Sequence, residues 1–281
     1  MRPRSIVKLM TPKALQPFAT GVYLRSQALY FAVYRCFLRP SSKYLAVAEQ
    51  NYVTSFPPEW TSVDIVNADI MVNLEAADYD LKLTNVKYAY SGHTIEHLSD
   101  AAVRRLFGKL FDAMRPGGVL RIECPDLDLL LDDYKCVQNQ ERKVTRQMIK
   151  TLEQRHMEQV DPRYAQEHLK VLAGIVSYTD HESKRILTPL CSAEEFNRNL
   201  ATMSNEQFGD WAVSLLTPEH LRDSYLHRNW FNFDKLQRYL TAAGFSGVTR
   251  CGPTRSHYAF RMNINRAYRA WCSLYVEASK S

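Results

Sequence analysis

The chain has 281 residues, 46% of them apolar and 23% charged, with a formal net charge of +6. That length carries one large domain or a core domain with an insertion, and the composition is ordinary for a folded globular protein. No apolar run approaches the roughly 20 residues that cross a bilayer, which leaves out a membrane-spanning class.

No signal peptide is expected, and the six scattered cysteines form no CxxC pair, so they read as reduced thiols of a cytoplasmic protein. The charge is uneven. Residues 1–43 carry eight basic side chains and no acid, while the rest holds 28 basic and 30 acidic residues. Residues 1–42 therefore form a basic, aromatic N-terminal segment. Three readings stay open for it: a basic helix packed on the core, peripheral contact of residues 1–40 with an anionic membrane surface, or a transit peptide. Nucleic acid is not expected as a partner, because the basic charge is confined to this segment and no binding motif accompanies it.

Residues 43–137 read as the first part of an α/β core. Lys43 to Ala48 form a first buried strand, and Val63 to Val66 a second, with Asp64 near its end. A short segment, Ala68 to Val72, follows. The central unit runs from Val86 to Asp126. An apolar run (Val86, Tyr88, Tyr90) stops at Ser91-Gly92-His93. Val103, Leu106, Phe107, Leu110, Phe111 and Met114 then recur at helical spacing behind a Ser99-Asp100 cap. Pro116-Gly117-Gly118 break that helix, and Val119 to Cys124 read as the next strand. Strand, helix, turn and strand make a βαβ unit with two parallel strands. Sheets of this kind bind ligands beyond the carboxyl ends of their strands, where Ser91-Gly92-His93 and Glu123 to Asp126 fall.

After Pro125-Asp126 a helix is expected with Leu129, Leu130 and Tyr134 toward the core. Asp126 either lines an acceptor site or caps that helix. Residues 138–226 break the alternation with charged helical stretches at 141–159 and 164–177, and read as a helical insertion or lid. Residues 227–281 resume the core. His227 to Phe231 close the lid. Asp234 to Ala243 form an amphipathic helix with Leu236, Tyr239 and Leu240 inward, ended by Gly244. Phe245 to Cys251 form a strand, and Ser273 to Ala278 form a last strand of two-residue alternation.

His93-Thr94-Ile95-Glu96-His97 also fits the H-x-x-E-H pattern of inverted zinc peptidases. That chemistry needs both histidines on one face of a long helix. His93 instead follows a strand by two residues, so a zinc hydrolase is a remote alternative and no metal is assigned.

The stretch YAYSGHTIEHL, a helix, and then MRPGGVLRIECPDL resembles the class I S-adenosylmethionine-dependent methyltransferases. The resemblance is greatest to small ones associated with bacterial surface polysaccharide synthesis. Ser91, His93, Glu96, His97, Leu98, Pro116, Gly117, Gly118, Pro125, Asp126 and Leu127 match that pattern, with Gly92 added between Ser and His. His227-Arg228, Ala243-Gly244-Phe245 and Ser273 to Ala278 resemble its close.

The resemblance implies a Rossmann-like, seven-stranded sheet with helices on both faces and a final antiparallel hairpin. It implies S-adenosylmethionine as cofactor, over the ends of the first, second and fourth strands. Ala48, Glu49, Gln50, Asp64, Ser91 and Gly92 are then the cofactor-binding candidates, with Asp64 matching the acid that holds the ribose hydroxyls. It implies methylation of an oxygen of a glycan or lipid-linked sugar. His93 is the candidate base or positioning group, Glu96 and His97 either orient it or bind a metal with the acceptor, and His227 reaches in from the lid. The sequence departs from the family at the first strand's end. Ala48-Glu49-Gln50 stand where a glycine loop is expected, and no glycine occurs between Gly21 and Gly92. That departure motivates a second hypothesis, a non-catalytic partner or scaffold on the same fold.

Overall fold

A computed structural model describes residues 43–48, 60–65, 68–138, 166–176, 189–218, 220–221, 226–253, 255–256 and 272–281. Among these, seven strands form one sheet: β1 (Tyr44–Val47), β2 (Thr61–Asp64), β3 (Ile70–Met71), β4 (Val86–Gly92), β5 (Met114–Pro125), β6 (Ser246–Arg250) and β7 (Ser273–Ser279). Their order is β3-β2-β1-β4-β5-β7-β6. The pairs from β3 through β5 are parallel, and β7 runs antiparallel to both β5 and β6. Six helices accompany the sheet: α1 (Asp100–Ala113), α2 (Leu127–Gln138), α3 (Glu167–Ile175), α4 (Ala193–Thr202), α5 (Asn205–Ser214) and α6 (Phe233–Ala242). The fold is therefore the Rossmann-like class I methyltransferase sheet that the resemblance implies, including its closing hairpin. The N-terminal segment 1–42 and the helical stretch expected at 141–159 lie outside the described residues.

The βαβ unit forms as its periodicity predicts. Ser99 caps α1, its Oγ accepting from Ala102 N, and Val103, Leu106, Phe107 and Leu110 are fully buried against the sheet. One boundary differs. β5 begins at Met114, five residues before the apolar run, because the Pro-Gly-Gly segment stays in the ladder. Met114 pairs with Val86, Gly117 N donates to Lys280 O at 2.8 Å, and Lys280 N donates to Gly118 O at 3.0 Å. Gly118 is required there, since a Cβ would lie 2.9 Å from Arg115 O and 3.0 Å from Val86 O. β4 likewise continues through Ser91 and Gly92, which pair with Ile122 and Glu123.

Two further readings need correction. β7 is buried on both faces rather than alternating, since it lies inside the sheet between β5 and β6, with Val276 and Ala278 in the main core and Glu277 bonded to Arg121 and Ser256. In α2 the inward residues are Leu127, Leu130, Leu131 and Tyr134; Leu129 is only half-buried. The α2 face does not join the sheet core. It packs with Leu169 and Leu172 of α3, Phe196 of α4, Phe208 of α5 and Trp230 into a second apolar cluster. α6 buries Leu236, Tyr239 and Leu240, as its spacing predicts. Gly244 ends it at φ +102°, with the Phe111 ring 2.8 Å from where a Cβ would stand. No helix of the described residues is long and apolar enough to cross a membrane.

Candidate functional site at the carboxyl edge of the sheet

Parallel register brings the carboxyl ends of β2, β1, β4 and β5 side by side. Val47 pairs with Val63 and with Ser91, and Gly92 pairs with Glu123. The candidate cofactor residues fall along this edge. Asp64 closes β2 half-buried, its Oδ1 accepting from Ile65 N at 2.6 Å. Burial pushes its pKa up against that hydrogen bond. Ala48 follows β1 with φ +51°, in the left-handed region that glycine adopts without strain, and its N donates to Val63 O at 2.6 Å. The backbone conformation expected of a glycine is thus present, with a methyl group added. Glu49 and Gln50 lie outside the described residues. Ser91 is 1% exposed, and its Oγ has no hydrogen-bond partner among the described residues. Gly92 is buried beside it as the last residue of β4. Thr94 Oγ1 spans the ends of β1 and β4, 3.3 Å from Val47 O and 3.4 Å from Gly92 O.

The candidate catalytic residues gather one turn further on. His93 takes φ +51°, a strained conformation for a non-glycine residue, held by its N donating to Glu123 O at 2.7 Å. Its Nδ1 lies 3.0 Å from Glu96 Oε1, and its Nε2 lies 2.9 Å from Ser273 Oγ and 3.4 Å from Glu123 Oε1. Glu123 is itself the acceptor for Tyr90 (2.6 Å to Oε2) and Tyr275 (3.2 Å to Oε1), with Ser273 Oγ 3.5 Å away. One imidazole therefore stands between two buried carboxylates and next to a hydroxyl.

Residues Ile95–His97 form a single 3-10 turn rather than part of a long helix, so His93 and His97 do not share a helical face as an inverted zinc peptidase requires. The turn aims Glu96 inward, 1% exposed, with its main-chain carbonyl accepting from Arg228 N (2.8 Å) and Asn229 N (3.1 Å). That clamp brings in His227, which is buried and stacks edge-on against His97 with ring centroids 4.9 Å apart. Burial works against a charge on Glu96, but His93, His97 and His227 around it outweigh burial and hold its carboxyl down to about 2. Burial pushes both His97 and His227 down, the latter to about 3.

All four candidate catalytic residues are thus brought together. Asp126 is not with them. Its Oδ1 faces Asp128 N (3.2 Å) and Leu129 N (3.5 Å) and its Oδ2 faces Arg250, which is the helix-capping role. Sequence reasoning missed Glu123, Ser273, Tyr90 and Tyr275 as a unit. A signal was present for the first: a carboxylate within a strand that reads as buried must find partners.

No protein-family model matches this chain, and no curated protein matches it. Among solved structures it is similar to an S-adenosylmethionine-dependent methyltransferase from Mesorhizobium loti, at 13% identity over 92% of this chain and 100% of that one, with a TM-score of 0.37. It is similar to a possible histamine N-methyltransferase from Thermotoga maritima at 10% identity over 92% and 89% of the two chains, with a TM-score of 0.36. It is also similar to the glycopeptide N-methyltransferase MtfA complexed with S-adenosylmethionine, at 14% identity over 91% and 86%, with a TM-score of 0.37. At these values the chain's own strand order carries the fold assignment.

Proposed function

We propose that this chain is an S-adenosylmethionine-dependent methyltransferase acting on a hydroxyl of a glycan or lipid-linked sugar, at the cytoplasmic side of a membrane that residues 1–40 contact peripherally. The observation that carries the methyl-transfer reading is the strand order, which sets Ala48, Asp64 and Ser91 on adjacent strand ends. These residues fit the cofactor. Ala48 keeps the left-handed backbone expected there, Asp64 offers an acceptor-only carboxylate for a diol, and Ser91 Oγ is a buried hydroxyl still lacking a partner among the described residues. When bound, the cofactor supplies an electrophilic methyl group on a sulfonium.

The chain's own residues supply position and a proton acceptor. With His93 Nδ1 donating to Glu96 Oε1, Nε2 is the lone-pair nitrogen, already within reach of a hydroxyl at Ser273. An acceptor hydroxyl that displaces Ser273 Oγ hands its proton to Nε2, and the flanking Glu96 and Glu123 carboxylates face the charge that develops on the ring. The sugar acceptor rests on the resemblance of the Ser91 to Leu127 pattern, and the membrane contact on the acid-free basic segment. Flotation with anionic vesicles, with and without residues 1–40, tests the latter; equal binding removes it.

A second reading, a non-catalytic partner or scaffold, is favoured by the added Ala48 methyl and by the engagement of His93 Nε2 with Ser273 and Glu123. Isothermal titration with S-adenosylmethionine and S-adenosylhomocysteine separates the two. Binding is expected, weakened about tenfold or more by Asp64→Ala through loss of charge-assisted hydrogen bonds. His93→Ala is expected to abolish turnover with binding retained. No binding at millimolar ligand overturns the enzyme reading.

A further inference from the structure

Beside His93 lies a donor set of which the proposed reaction uses only Glu96 Oε1. One ligand atom from each of Glu96, His97 and His227 lies within 4.8 Å of the others, and His97 Nε2 is 3.9 Å from Glu96 Oε1. The geometry points to a site for one divalent transition-metal ion of the zinc class, held by the Glu96 carboxylate and the His97 and His227 imidazoles.

Two nitrogens and one oxygen are the donor mixture that suits such ions and not magnesium or calcium, which take oxygen ligands. Around tetrahedral zinc, donor atoms sit about 3.4 Å apart, given bonds of roughly 2.0–2.1 Å. The three donors therefore need to close by no more than about 1.5 Å, which small side-chain rotations supply.

Polar atoms in the cluster also lack the partners that a purely structural network would give them. Glu96 uses Oε1 on His93, while Oε2 is buried with no hydrogen-bond partner among the described residues, as is His97 Nδ1. Buried polar atoms are seldom left so, because the desolvation cost goes uncompensated. Glu96 has an outer support of the kind found behind metal ligands, with His93 Nδ1 3.0 Å from its Oε1. A small cavity of about 10 Å³, room for roughly one water molecule, lies at Glu96, walled by Pro125, Leu127, Leu130, Trp230 and Phe231. Three protein ligands leave a fourth position for water or another oxygen ligand. The ion ties the Ile95–His97 turn to the His227 segment whether or not the chain transfers methyl groups.

Full-length protein, stripped with chelator, is titrated with Co²⁺ and then Zn²⁺. One Co²⁺ per chain with visible ligand-field bands is expected, displaced by one Zn²⁺. His97→Ala, His227→Ala and Glu96→Gln are expected to weaken binding by at least about tenfold, while Asp64→Ala leaves it unchanged. Absence of saturable one-to-one binding overturns the proposal, as does unchanged affinity in both histidine variants. Should those variants not fold, proton NMR of the Co²⁺-loaded wild type decides. Two paramagnetically shifted imidazole N–H signals are expected, and fewer than two overturns the site.

Discussion

Ala48 offers a test of the left-handed turn on which the proposed cofactor site rests. It sits at φ +51° immediately after β1, whereas Ala46, two residues earlier, is fully buried in the strand. Left-handed backbone costs an L-residue about 1–2 kcal/mol, and glycine escapes it. Replacing Ala by Gly also costs about 0.5–1 kcal/mol in chain entropy. A fully buried methyl is worth about 0.8 kcal/mol, and the half-buried one at Ala48 about half of that. Ala48→Gly therefore nets a gain of about 0.4 kcal/mol at the middle of these ranges. Ala46→Gly has no strain to relieve and loses about 1.5 kcal/mol. The two substitutions, chemically identical and two residues apart, should differ by about 2 kcal/mol in urea unfolding, with unchanged slopes. In thermal unfolding that is a separation of about 4–8 °C for a chain of this size. If Ala48→Gly loses as much as Ala46→Gly, the residue is not held in the left-handed region and the argument for a preserved glycine-like turn fails.

Three other substitutions probe the frame around the site. Gly244→Ala meets both φ +102° and the Phe111 ring at 2.8 Å, and should lower unfolding free energy by about 2–4 kcal/mol in urea titration. Arg121 and Glu277 form a buried pair at 2.7 Å between β5 and β7. Glu277→Leu should cost about 3–5 kcal/mol by stranding the guanidinium, and adding Arg121→Met should recover much of it in the same assay. Burial raises the Asp126 pKa above 3.8, with Arg250 opposing, so the ionised carboxyl is a net liability above its folded pKa. That liability fades as pH falls toward the unfolded value. Asp126→Asn, which retains a capping side chain, should thus gain stability at pH 7, and the gain should shrink when the denaturation is repeated near pH 4.

The local grammar of the βαβ unit was legible because it depends on neighbours in sequence. The spacing of Val103, Leu106, Phe107 and Leu110 fixed the α1 face. Ser99 announced the cap, and Gly244 ended α6 at a positive φ for the steric reason that favours glycine there. The seven-stranded sheet and its closing hairpin were reached through the resemblance of linked motifs, and the pairing bears them out, while the strand order came from the structure. Boundaries were less legible. Pro116 to Gly118 read as a break, yet the ladder runs through them, because strand pairing is decided by Val86 and Lys280 from elsewhere in the chain.

By itself, then, the sequence determined which segments are helix and strand along the core, and that His93, Glu96 and His97 end up near a strand's carboxyl end. It could not determine what those side chains meet. Ser273 lies 180 positions from His93, and His227 reaches His97 only because the Glu96 carbonyl captures Arg228 N and Asn229 N. Such contacts carry no periodicity, so only the tertiary structure could turn a histidine at a strand end into an imidazole held between two buried carboxylates. For the same reason only the structure set Glu96, His97 and His227, rather than the H-x-x-E-H pair, around a common point.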